Sequence, residues 1–235
     1  QKNKGDIPDS PLHTPPKINL KNYPPPSFEV ETIDLDIKLF DDHAIIDSTL
    51  KMLRKNRGDL ILLGEDLELL SIALNGSLLL DSDYAQKDGK LHIKNAPDKL
   101  TLQLSVRISP HTNTALEGLY IAGSGAETMF VTQCEPEGFR KITFYPDRPD
   151  VLAVFTTRLE ADKRYPTLLA NGNLVEVGEV AGASQRHYAI WHDPTHKPSY
   201  LFACVMADLD VLTDYHTTSE GRKVLLEIYA KSEDI

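Results

Sequence analysis

From Phe28 onward, apolar and polar residues alternate with a period of two. Ile33, Leu35, Ile37 and Leu39 are interleaved with Asp34, Asp36 and Lys38, whereas Phe28 and Val30 fall in the opposite phase. Successive side chains of a strand point to opposite faces, so this change of phase predicts a bulge near Glu31–Thr32. The clearest strand is LTLQLSVRI, in which Leu100, Leu102, Leu104, Val106 and Ile108 share one face and Thr101, Gln103, Ser105 and Arg107 the other. One face of it meets a core and the other meets water. Asn75-Gly76 and Asp88-Gly89 separate alternating runs. Both are dipeptides favoured by tight hairpin turns, whose two central residues need positive φ.

The same texture continues to the end of the chain. VFTTRLEAD, TLLANGNLVEVGEV, RHYAIWHD, SYLFACVMADLDVL and KVLLEIYA are short runs divided by Gly, Pro, Asn and Asp. One short helix is predicted over 149–154, where Pro149 occupies a first-turn position. Otherwise the pattern predicts an all-β fold, mostly antiparallel, in two packed layers. Residues 1–26 are rich in Pro, Lys and Asp with little to bury, and read as an extended arm before a β domain over 27–235. The last run ends at Tyr229 without a following cap or tail, which reads as a chain interrupted just after a strand.

Composition narrows the partners. Of 235 residues 41% are hydrophobic, enough for a real core. The 35 acidic residues outnumber the 25 basic ones, giving a net charge of -10 with no long Lys/Arg cluster. That balance argues against nucleic acid and anionic membranes and suits cationic partners. No apolar run is long enough to cross a bilayer. The two cysteines, Cys134 and Cys204, have no metal-ribbon or disulfide-framework spacing and read as reduced thiols of a cytoplasmic protein.

Few residues carry a chemical signal. His192 and His196 are four apart, but Pro194 between them and the strand-like flanks oppose a metal-binding helix. The glycine-rich GSGAE, Gly123 to Glu127, lacks the Lys-Ser/Thr of a phosphate cradle and reads as a loop between strands. Cys134 has no neighbouring histidine to activate it and is expected to face the core. Its neighbours Gln133 and Glu135 then project together on the other face. Two readings of Glu135 stay open: a structural salt bridge to Arg140 or Arg148, or a carboxylate that, beside an amide, grips an ammonium ligand. A carbohydrate-binding role has little support, since Trp191 is the single tryptophan.

NYPPPSFEVETIDLDIKL, NTALEGLY, TQCEPEGFRKITFYPDRPDVLAVFTTRLEADKRYPTLLANGN and HKPSYLFACVMADLDVL together resemble the N-terminal domain of the bacterial aminopeptidase N family, zinc-dependent alanyl aminopeptidases of the gluzincin class. The likeness runs from about Tyr23 to the end. It implies a saddle-like antiparallel β-sandwich domain that packs on a catalytic domain of the same polypeptide. It also implies that the Gly-x-Met-Glu-Asn and His-Glu-x-x-His motifs, and the zinc they serve, lie outside this chain, leaving it inactive alone and without catalytic or metal-binding residues of its own. In the family the Gln-x-Glu triplet reaches into the active site. By position, Gln133 would line the subsite for the first side chain and Glu135 would help bind the free α-amino group of peptide substrates. NTALEGLY and DRPD, Asp147 to Asp150, are family signatures with an expected structural role. The alternative is a stand-alone, non-catalytic β domain that binds another protein.

Overall fold

The computed structural model describes residues 19–235, so most of the predicted arm lies outside the described residues. Asn19 opens a 3-10 turn at Leu20–Asn22 by accepting a hydrogen bond from the Lys21 N–H, and the chain then runs through Pro24, Pro25 and Pro26 into the first strand.

The strands follow in chain order: β1 (Phe28–Leu39), β2 (Ala44–Arg54), β3 (Leu60–Leu63), β4 (Glu68–Leu74), β5 (Ser77–Leu78), β6 (Tyr84–Lys87), β7 (Lys90–Ile93), β8 (Lys99–Ile108), β9 (Gly118–Ala122), β10 (Met129–Gln133), β11 (Leu152–Asp162), β12 (Thr167–Ala170), β13 (Asn173–Glu179), β14 (Arg186–Pro198), β15 (Cys204–Ala207), β16 (Asp210–Thr217) and β17 (Lys223–Ala230). Eight of them form the main sheet in the order β13-β14-β11-β1-β2-β8-β4-β5. Two smaller sheets, β12-β15-β10-β9 and β3-β7-β6, accompany it, and β16-β17 forms a separate ribbon.

The predicted phase change is a bulge: Val30 faces Met52 and Thr32 faces Lys51, which leaves Glu31 unpaired. Asn75-Gly76 joins β4 to β5 and Asp88-Gly89 joins β6 to β7, with φ of 51° and 82° and of 52° and 71°. Antiparallel pairing dominates, but β1 and β11 run parallel at the centre of the main sheet.

One face of that sheet is buried. Ile33, Leu35 and Ile37 of β1, Ala44, Ile46 and Leu50 of β2, and all five predicted apolar positions of β8 lie in it. Leu60, Leu62, Leu91 and Ile93 from the three-stranded sheet, and Phe130, Leu168, Cys204 and Met206 from the four-stranded one, join the same continuous core. Ser48 Oγ and Thr143 Oγ1 share a buried hydrogen bond of 3.0 Å that fixes β2 against the segment after β10. Neither β16 nor β17 contributes to the core.

The helix expected over 149–154 is absent. Residues 148–151 make a turn closed by the Val151 N–H donating to the Arg148 carbonyl (3.3 Å), and β11 begins at Leu152. A proline suits the second position of such a turn as well as the first turn of a helix, because φ near −65° serves both. What decides is the next stretch, where Val151, Ala153 and Phe155 are buried at every second position.

Candidate functional site

The end of β10 carries the residues singled out by the sequence. Gln133, the last residue of the strand, pairs with Gly118 of β9 and is exposed. The chain leaves the sheet at Cys134, which is buried, and turns through Glu135, which is exposed. Alternation therefore gives the right faces, but Glu135 sits on a turn and not in the strand.

The turn closes with the Gly138 N–H donating to the Cys134 carbonyl (3.0 Å). A Cβ on Gly138 would lie 2.2 Å from the Gln133 carbonyl oxygen, so only glycine lets the chain double back this closely. The Gln133 side-chain amide donates to the Glu135 carbonyl (3.3 Å), laying the glutamine along the turn. After the turn, Phe139 is fully buried against Tyr145, Phe155 and Phe202, at centroid distances of 5.0, 5.9 and 5.4 Å. Rings crossing edge to face in this way anchor the turn to the core.

Glu135 opens onto a cavity of about 360 Å³, lined also by Pro136, Glu137, Asp147, Arg148, Pro149 and Tyr200. Its walls are mainly apolar and its charges are largely committed. Arg140 holds Glu137 at 2.9 Å and Asp147 at 3.0 Å, while Arg148 holds Asp150 at 2.7 Å. These pairings remove both cations that could have formed a structural salt bridge with Glu135. Among the described residues, Glu135 is left as the lining carboxylate without a cationic partner.

The remaining candidates resolve into structure. Burial, the neighbouring Cys204 and Asp147 push the Cys134 thiol far above its ordinary range, and burial pushes Cys204 up to about 12. Both therefore stay protonated near neutral pH and are poor nucleophiles. GSGAE forms a 3-10 turn at Gly125–Glu127 between β9 and β10. His192 lies in β14 and hydrogen-bonds Thr156 through Nδ1 (3.1 Å). Trp191 packs on the core and donates Nε1–H to the Leu168 carbonyl (3.0 Å). No group of three or more His, Cys, Asp or Glu side chains among the described residues could hold a metal ion. Zinc therefore finds no fitting donor set there, and no chemical step in this chain is assigned to it.

The sequence singled out Gln133 and Glu135 but missed the hub beside them. Asp147 meets Arg140, seven residues away, and Ser199, 52 residues away, and no local spacing announces the second contact. The available signal was the DRPD signature, Asp147 to Asp150, which places charged residues just after the apolar Phe144 and Tyr145.

Known proteins share this arrangement of strands. Residues 29–201 match the profile of the Peptidase M1 N-terminal domain. Aminopeptidase N of Caulobacter vibrioides is 45% identical over 219 residues, covering 92% of this chain and 25% of that protein. Aminopeptidase N of Escherichia coli is 45% identical over 211 residues, covering 88% of this chain and 23% of that protein. A crystal structure of Legionella pneumophila aminopeptidase A in complex with aspartic acid superposes with a TM-score of 0.83 at 32% identity, over 91% of this chain and 25% of that one. The M1 zinc metallopeptidase of Deinococcus radiodurans, solved as a mutant with a Tyr-Ser-Ala substrate, shares the fold at 17% identity and a TM-score of 0.70, over 88% of this chain and 48% of that one. The chain thus spans about a quarter of the length of the curated relatives it matches. With the family profile covering well over half of it, the chain belongs to the Peptidase M1 N-terminal domain family.

Proposed function

We propose that this chain is the substrate-recognition part of a zinc-dependent aminopeptidase that removes N-terminal residues from peptides, and that it is inactive by itself. Glu135 binds the free α-amino group of the substrate, and Gln133 borders the space for the first side chain. The observation that carries this reading is the uncommitted carboxylate of Glu135 at the mouth of a mostly apolar cavity whose other carboxylates are held by arginine. An α-amino group titrates near 7.7–8.0 and is largely ammonium at neutral pH, so a carboxylate without a competing cation selects it. A charge-assisted hydrogen bond of this kind contributes about 1.5–3 kcal/mol, or roughly 10- to 150-fold in affinity.

The zinc and the groups that attack the peptide bond belong, on this reading, to a further domain of the same polypeptide. Support comes from the ribbon. Leu212, Tyr215, Leu225 and Ile228 are each at least half exposed there, which suits a surface that the rest of the polypeptide covers. Two cysteines held as buried free thiols fit a reducing compartment and support the cytoplasm as the place of action. No helix among the described residues is long and apolar enough to cross a membrane.

The test is Glu135→Gln in the full-length enzyme, assayed on aminoacyl anilides. The expected outcome is a fall of roughly 10- to 150-fold in kcat/KM; unchanged kinetics would overturn the role. Hydrolysis by the purified 235-residue chain would overturn its proposed inactivity. The exposed ribbon equally favours the alternative, a non-catalytic module that binds a different protein. A coding sequence that stops at Ile235 would select that alternative.

A further inference from the structure

The turn carrying Glu135 is fixed from behind by a buried charge. Asp147 is 6% exposed and uses both carboxylate oxygens within the chain. Oδ2 accepts from the Arg140 backbone N–H (3.2 Å) and from Arg140 Nε (3.0 Å), while Oδ1 accepts from the buried Ser199 hydroxyl (2.5 Å). Arg140 Nη2 also donates to the Asp147 carbonyl (3.2 Å). The other end of the guanidinium, Nη1, holds Glu137, two residues beyond Glu135 (2.9 Å). A path of direct contacts therefore runs from Ser199 through Asp147 and Arg140 to the Glu135 turn.

We propose that Asp147 is a positioning residue for ammonium recognition, acting through Arg140. This rests on the proposed role of Glu135. Asp147 fixes the guanidinium that holds the turn at Glu137. Losing the aspartate charge while keeping its shape should weaken capture of the amino terminus and leave bond cleavage alone.

In the full-length enzyme, Asp147→Asn is expected to raise KM by roughly tenfold at nearly unchanged kcat, and to have little effect in a Glu135→Gln background. Arg140→Gln removes the link between Asp147 and the turn and should raise KM by a similar factor, with the double variant no worse than either single one, whereas independent structural roles would add. Amide hydrogen exchange over residues 134–141 should quicken in Asp147→Asn, as the turn loses its anchor. Ser199→Ala removes one bond without changing charge and should raise KM roughly two- to threefold in the wild-type background only. It also serves as the readout if Asp147→Asn does not fold. A KM unmoved by Asp147→Asn or by Ser199→Ala, equal effects with and without Glu135, or additive effects of Asp147→Asn and Arg140→Gln would overturn the proposal. If Glu135→Gln itself leaves kinetics unchanged, the proposed function has failed as well, so the two failures are distinguishable.

Discussion

β8 and the β16-β17 ribbon are both written in short runs of Leu, Val and Ile, yet they end in opposite environments. In β8 the apolar residues keep to one face, and Leu100, Leu102, Leu104, Val106 and Ile108 are all buried. In β17 the apolar positions Val224, Leu225, Leu226, Ile228 and Tyr229 occupy both faces, and Leu225 is 50% and Ile228 61% exposed. A strand apolar on both faces is suited to burial on both, as in the interior of a layered α/β sheet. Each strand of the ribbon has its hydrogen-bonded partner, without a covering layer among the described residues. The difference teaches that alternation specifies a strand, while burial depends on what else packs against it. The boundary between the two regions also falls past residue 201, where the family match ends.

The strongest way to break this contrast is to damage the body. Phe139→Ala removes a ring that touches three others beneath the Glu135 turn and is expected to cost about 3–5 kcal/mol, measured by denaturant unfolding. Next comes Lys197, buried in β14, which holds Asp193 at 2.9 Å and lies 4.1 Å from the Phe155 ring centroid. Lys197→Ala leaves that carboxylate short of a cation and should cost about 2–4 kcal/mol.

The same pair shapes the acid response. Burial alone would raise the Asp193 carboxyl, but hydrogen bonds from Thr195 and the Lys197 ammonium outweigh it and hold the group at about 2, against an ordinary 3.8. Stability from a depressed carboxylate is present above its unfolded value and is lost as pH falls from 3.8 toward 2. Burial holds the Lys197 ammonium below its ordinary value, so the pair's net contribution is smaller than that of Asp193 alone. Wild-type Tm should therefore fall modestly across that window, and Asp193→Asn should flatten the fall.

The smallest expected effect is on the ribbon. Leu212 and Ile228 are cross-strand partners, and changing both to Ser should shift the stability of the isolated chain by less than about 0.5 kcal/mol. If, as proposed, a further domain of the same polypeptide covers the ribbon, each substitution should cost about 1.5–3 kcal/mol there. A core-sized penalty in the isolated chain would erase the distinction between the two regions.

Local chemistry made much of this legible. The turns at Asn75-Gly76 and Asp88-Gly89, the bulge at Glu31 and the one-sided face of β8 follow from constraints that act over a few residues. Pro149 misled because its fixed φ is common to two structures, and only the buried Ala153 and Phe155 separate them. The parallel pairing of β1 with β11 was hidden, since a strand's own pattern does not record the direction of its neighbour. For the site, Gln133 and Glu135 could be singled out along the chain. The arginines that decide whether Glu135 is compensated could be assigned only once Asp147, Ser199 and Asp150 had claimed or anchored them.

The parallel pairing also sets an order of events during synthesis. Asp36 and Arg158, joined across β1 and β11, are 122 residues apart. At a translation rate of about 5–20 residues per second, β1 waits roughly 6–24 s after its own synthesis before its central neighbour exists. Through that interval the hairpin partner β2 can occupy one edge of β1, while the other edge stays open to any strand it meets. Carboxylates and a lysine along that edge, Asp34, Asp36 and Lys38, give the nascent strand a charged and poorly adhesive margin until β11 arrives.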